Sequence, residues 1–128
     1  MRVLLVDDYS LILDGLLKVF DWAGNGFTVT ARASNGKQAL DILEAQPIDI
    51  IFTDIKMPVL DGLELIKIVT KTYPNIKIAV LSAYDDFNLV RTAFQLGADD
   101  YILKQEMDPE VIKNVCQKFR HNIEIEQN

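Results

Sequence analysis

The side chains able to do chemistry in this chain are few, and they fall at comparable places. Asp7 and Asp8 close one apolar run, Asp54 a second, Ser82 a third and Lys104 a fourth. Carboxylates gathered in one crevice repel one another, and at neutral pH they need protons or a cation among them. A hard divalent ion is the simplest answer. Mg2+ suits the set, because it takes one or two carboxylates, keeps several waters and leaves positions for a phosphate oxygen. A carboxylate can then attack phosphorus and become an aspartyl phosphate. Transfer requires the charge on the equatorial oxygens to be neutralised, and Lys104 and Ser82 are the available pair.

These residues meet only if the strands before them lie side by side. Runs at 3–6, 27–33, 48–53, 76–81 and 101–103 alternate with amphipathic stretches, the pattern of an α/β domain with a parallel sheet. The first, third and fourth runs are almost continuously apolar, as expected of central strands covered on both faces. The second alternates Phe27, Val29, Ala31 and Ala33 with polar residues, which assigns it to an edge. Helical spacing joins Ile12, Leu16, Val19, Phe20 and Ala23, then Ala39, Leu40 and Leu43, then Leu63, Ile66 and Val69. Leu96-Gly97-Ala98 ends a fourth helix with a glycine cap. Asp108-Pro109-Glu110 opens a fifth, whose stripe is Ile112, Val115, Cys116, Phe119 and Ile123. The polar end after Glu124 reads as a frayed tail or a boundary.

In an open parallel sheet, ligands bind outside the carboxyl ends of the strands, where the strand order reverses. An order 2-1-3-4-5, common among doubly wound sheets, puts the reversal between the first and third strands. Asp7, Asp8 and Asp54 then share one crevice.

The 128 residues, 49% of them hydrophobic, suffice for a single domain over 1–128, with its core at about 2–120. A net charge of -6 argues against direct nucleic-acid binding, which needs a basic patch to displace counterions. The lone Cys116 excludes an internal disulfide, and its position on an apolar stripe makes it a small core hydrophobe. No apolar run approaches the roughly 20 residues of a membrane span, and Met1-Arg2 leads directly into a strand without a signal-peptide pattern. The expectation is a cytoplasmic protein. His121 reads as a solvated residue near the end of the last helix.

Val6-Asp7-Asp8, Thr53-Asp54-Ile55-Lys56-Met57-Pro58, Asp61-Gly62, Leu81-Ser82-Ala83 and Leu96-Gly97-Ala98-Asp99-Asp100-Tyr101 through Lys104 together resemble the response-regulator receiver family of two-component systems. The resemblance runs from about residue 2 to 120. It implies a flavodoxin-like (βα)5 three-layer sandwich. It also implies that Asp54 is the phosphoacceptor, that Asp8 and the Lys56 backbone carbonyl join it on Mg2+, and that Asp7 helps through water. Ser82 and Lys104 would hold the phosphoryl oxygens, and Tyr101 matches the family's switch aromatic. Phe20-Asp21-Trp22 and Ser82-Ala83-Tyr84-Asp85-Asp86-Phe87 further resemble receivers with AraC-type DNA-binding output domains, the YesN-like group; no such domain is expected within these residues. The implied partners are a sensor histidine kinase and, on phosphorylation, a second copy of the chain.

The sequence departs from the family pattern at Gln105, where proline is usual. A cis bond at a non-proline residue costs about 3 kcal/mol, so a trans Lys104-Gln105 bond is expected. The loop at 105–107 is about one residue longer than usual, and Tyr9 takes a place that is often acidic. Lys56 and Tyr84 occupy the two variable positions that, in this family, tune the lifetime of the phosphoryl group.

Taken singly, Asp7-Asp8 would be turn acids, Ser82 a turn hydroxyl, Lys104 a solvated lysine and Tyr101 an edge side chain. Their joint position at four strand ends favours one site. A Mg2+-dependent phosphatase or phosphotransferase is the alternative reading. It would want a general acid near the nucleophile, whereas Ile55 and Lys56 follow Asp54 and every loop is short. A flavin module would want a phosphate-cradling loop after the first strand, where this chain has acids.

Overall fold

Each apolar run forms a strand and each amphipathic stretch a helix. The computed structural model describes residues 1–127. The strands are β1 (Arg2–Val6), β2 (Thr28–Ala33), β3 (Ile50–Asp54), β4 (Lys77–Ser82) and β5 (Asp100–Leu103). They form one parallel sheet in the order β2-β1-β3-β4-β5. The helices are α1 (Ser10–Val19), α2 (Gly36–Ala45), α3 (Gly62–Thr72), α4 (Phe87–Leu96) and α5 (Pro109–Glu126).

Strand side chains alternate between faces, so a central strand feeds two cores. Val3, Leu5, Ile50, Phe52, Leu81 and Ile102 pack on one face with Leu13 and Leu16 of α1 and the Ile112, Val115, Cys116, Phe119 and Ile123 stripe of α5. Leu4, Val6, Ile51, Ile78 and Val80 pack on the other with Ala39 and Leu43 of α2, Leu65, Ile66 and Val69 of α3 and Ala93 of α4. The result is the flavodoxin-like three-layer sandwich, with β2 at an edge and β1, β3 and β4 central.

Two expectations need correction. Ala23 is exposed, because α1 stops at Val19 and Phe20 is already extended, with φ -135° and ψ 140°. Trp22 enters the core in its place, donating its indole N–H to Leu16 O at 2.9 Å and meeting Phe20 and Phe52 edge-on. Ile125 and Glu126 are not frayed, since α5 continues to Glu126. Lys77 Nζ at the start of β4 binds Glu126 Oε1 at 2.6 Å and ties down the last turn.

Caps form where the sequence provides them. The Asp108 side chain accepts the Val111 N–H, with Pro109 opening α5, and Asp61 accepts the Glu64 N–H of α3. Gly97 closes α4 at φ 120°, and a Cβ there would lie 2.6 Å from Thr70 Oγ1 of α3. Cys116 is fully buried, and burial pushes its thiol up to about 12. His121 is exposed. No helix among the described residues is long and apolar enough to cross a membrane.

Candidate phosphoacceptor and metal site

Strand register brings the candidate residues to one rim. Val6 pairs with Thr53 and Asp54 with Leu81, so the residue after β1, Asp7, stands level with Asp54. Ser82 pairs with Leu103, which sets Ser82 one residue further along the strand direction and Lys104 one beyond that. Asp54 and Ser82 are the last residues of their strands rather than the first of their loops. Alternation continues Asp7, Asp54 and Lys104 on the α1/α5 face and Ser82, after Val80, on the opposite one.

The contacts follow that division. Lys104 Nζ lies 3.1 Å from Asp7 Oδ2 and 3.2 Å from Asp54 Oδ1. The first contact is an ion pair without hydrogen-bond alignment, which leaves Asp7 Oδ2 without a directional partner. Asp7 Oδ1 accepts the Tyr9 N–H at 2.9 Å, and Asp54 Oδ1 accepts the Ile55 N–H at 2.8 Å. Ser82 is fully buried, and its Oγ has no hydrogen-bond partner among the described residues. Asp7, Asp8 and Asp54 each offer a carboxylate oxygen within 4.8 Å of the others, with Asp8 exposed and the other two buried.

Burial, and next the charge of Asp7, push the Asp54 carboxyl up to about 6 against the opposing pull of Lys104 and the Ile55 N–H. Burial disfavours the Lys104 ammonium, but its close pairing with the Asp7 and Asp54 carboxylates outweighs that and holds it above the ordinary lysine value. One ammonium thus faces three carboxylates, and the excess of negative charge suits a hard cation with oxygen ligands.

Gln105 does not displace Lys104. Lys104–Glu106 forms a 3-10 turn that takes up the extra loop residue, and no peptide bond among the described residues is cis. Tyr101 lies with 45% of its surface exposed, its ring edge-on to Phe94 at 6.1 Å. Lys56 follows β3 at the rim, its ammonium 3.1 Å from Asp86 Oδ1. Met57-Pro58 lies in the bend after β3.

Three contributors escape a reading by residue type. Tyr9 orients Asp7 through its backbone and sets its ring 5.9 Å from Lys104 Nζ. Gly62 donates its N–H to Ile55 O at 2.7 Å, and a Cβ there would lie 2.1 Å from Asp54 O. Asp86 is buried in the β4–α4 loop. The sequence singles out Gly62 only as part of the Asp61-Gly62 pair, without its role.

Residues 3–116 match the model of the response regulator receiver domain. The chain belongs to that family. The receiver domain is 36% identical over 115 residues to the uncharacterized transcriptional regulatory protein YesN of Bacillus subtilis, a match covering 89% of this chain and 31% of YesN. It is 31% identical over 134 residues to the transcriptional regulatory protein DegU of Brevibacillus brevis, covering 96% of this chain and 56% of DegU. The chain thus spans between about a third and somewhat over half of these relatives. Its fold superposes on the receiver domain of AraT, a response regulator from Geobacillus stearothermophilus, with a TM-score of 0.91, 35% identity and coverage of 99% and 98% of the two chains. A two component transcriptional regulator AraC from Clostridium phytofermentans gives 0.89 at 30% identity, covering 99% and 98%.

Proposed function

We propose that this receiver domain is a phosphoacceptor switch in which Asp54 takes a phosphoryl group from a sensor histidine kinase. One observation carries the reading: the Lys104 ammonium is held between the buried carboxylates of Asp7 and Asp54, while the buried Ser82 hydroxyl stands unbonded at the next strand end. Nucleophile, cation and hydroxyl donor are what an aspartyl phosphate requires.

The ionised Asp54 carboxylate attacks phosphorus. A P–O bond forms to Asp54 as the bond to the donor breaks, and the leaving group departs with the electron pair. Lys104 faces the charge gathering on the transferred oxygens. Asp7, fully buried, keeps Lys104 in place by their ion pair. Bound Mg2+ would supply further neutralisation, held by Asp8, Asp54 and the Lys56 backbone carbonyl with Asp7 acting through water. The three converging carboxylate oxygens fit such an ion.

Ser82 begins on the opposite face from Lys104, so it reaches a phosphoryl oxygen only when the β4–α4 loop shifts. That shift opens onto a groove of about 790 Å3 between α4 and β5, lined by Ser82, Tyr84, Phe87, Val90, Phe94 and Tyr101. A dianionic group beside Lys104 interacts differently with the two loop positions, which a population shift requires. Ser82 and Tyr101 are the switch residues, and the groove face is the surface altered for a partner or a homodimer. Relatives named as transcriptional regulators support a transcriptional output, through an AraC-type domain elsewhere in a longer protein; a cytoplasmic setting goes with that proposal.

Incubation with a small acyl phosphate and Mg2+ should add one phosphoryl mass to the parent and none to Asp54→Asn. Equal labelling of the two refutes the assignment. Sustained turnover of phosphomonoesters would favour a phosphatase instead.

A further inference from the structure

The loop that must move for Ser82 to act is fastened at one residue. Asp86 is only 7% exposed, unusual for a charged side chain in a loop, and each of its polar contacts restrains the β4–α4 segment. Its Oδ2 accepts the Ala83 N–H at 3.2 Å and its own N–H donates to Ala83 O at 3.1 Å, folding residues 83–86 into a closed turn directly after Ser82. Its Oδ1 lies 3.1 Å from Lys56 Nζ. Lys56 belongs to a different loop, two residues past Asp54. This ion pair therefore ties the loop that follows the nucleophile to the loop that must carry Ser82 toward it.

We propose that Asp86 is a positioning residue which, clasped by Lys56, holds the β4–α4 loop in the arrangement that keeps Ser82 away from Asp54. The inference rests on Asp54 as the phosphoacceptor and adds what restrains the switch before phosphorylation. Lys56 reaches Asp86 directly while standing only two residues past Asp54. A phosphoryl group on Asp54 adds negative charge on the nucleophile's side of this lysine and weakens its preference for Asp86. Release of the clasp and movement of Ser82 are then coupled, and by linkage anything that weakens the clasp favours phosphorylation.

The test uses the full chain and two substitutions. Asp86→Asn keeps an acceptor for the Ala83 N–H and removes the charge, while Lys56→Gln removes the other half of the pair. Amide hydrogen exchange without phosphodonor reads the clasp alone. Exchange at Ala83 should rise about two- to fivefold in either variant, the range for an ion pair with one exposed partner, while α5 amides keep the parent's protection. The Ala83 N–H is bonded to Asp86 and the Lys56 ammonium pairs with Asp86, so an effect of Lys56 at Ala83 reports the clasp and not a local hydrogen bond. The double variant should show no more than the larger single effect. With a small acyl phosphate and Mg2+, Asp86→Asn should take up phosphoryl about two- to fivefold faster than the parent, and Asp86→Glu should return toward the parent rate.

Unchanged Ala83 exchange in Lys56→Gln overturns the proposal, as do fully additive effects in the double variant. Loss of α5 protection in Asp86→Asn would move the exchange test to Asp86→Glu and Lys56→Gln, where the same Lys56→Gln result decides. A parent that takes no phosphoryl group while exchange follows the expected pattern would refute the phosphoacceptor reading and leave the clasp standing.

Discussion

Removing the charge of Asp54 should stabilise the metal-free protein. In Asp54→Asn the replacement keeps an oxygen for the Ile55 N–H and leaves Lys104 paired with Asp7. What disappears is a carboxylate that is 6% exposed and faces Asp7, fully buried. Its pKa is raised from 3.8 to about 6, chiefly by burial. A shift of roughly 2 units, already net of the attraction to Lys104, corresponds to a gain of at most about 3 kcal/mol at pH 7.5. Urea unfolding in EDTA, followed by the fluorescence of buried Trp22, measures it. The sign can also be read from pH. Between about 4 and 6 the folded state holds the Asp54 proton and the unfolded state has released it, so parent stability falls as pH rises through that window. Asp54→Asn should lose the Asp54 share of this slope, while the half-buried Asp99, whose carboxyl burial also holds above its ordinary value, keeps its own. Mg2+ should stabilise the parent more than the variant. A variant no more stable than the parent in EDTA at pH 7.5, with equal m-values, would refute the electrostatic description of the site.

Lys104→Gln should lower metal-free stability by about 1–3 kcal/mol, because Asp7 and Asp54 lose their shared cation; Mg2+ should recover part of the loss in the same urea assay. Ser82→Ala should change stability by less than about 1 kcal/mol, since the hydroxyl has no partner to lose. The same variant should fail to transmit phosphorylation to Tyr101, detectable as an unmoved Tyr101 amide resonance after phosphodonor addition. Gly62→Ala should destabilise by about 2–4 kcal/mol, because the new Cβ would force the start of α3 away from Asp54 O. Thermal unfolding checks this, and a change within about 0.5 kcal/mol would contradict it.

The fold was legible because burial on two faces leaves continuous apolar runs, as in β1, β3 and β4, while the edge strand β2 mixes polar with apolar residues. Its expected single apolar face is split, because a bulge at Thr30 sends Val29 and Ala31 to opposite faces of the sheet. The α5 stripe was legible for the same reason, its five apolar residues all reaching one core. The meeting of Asp7, Asp54 and Lys104 followed from strand ends sharing a rim. Which face Ser82 occupies was not legible, because it depends on whether β4 ends before or after that residue. Tyr9 acts through its backbone, and Gly62 through an absent side chain, so neither residue type announces its role. Asp86 and Lys56 lie on separate loops, and only the folded arrangement brings them to 3.1 Å. Ala23 kept the helical spacing of α1 on paper, but the chain left the helix at Phe20 and Trp22 took the core position.

The most direct test of the central claim locates the phosphoryl group chemically. After treatment with a small acyl phosphate and Mg2+, borohydride reduction converts an aspartyl phosphate to homoserine, and peptide mass spectrometry finds the converted residue. The account predicts homoserine at position 54 in the parent and at no position in Asp54→Asn. Conversion at Asp7, Asp8 or any other residue in place of Asp54 would contradict it.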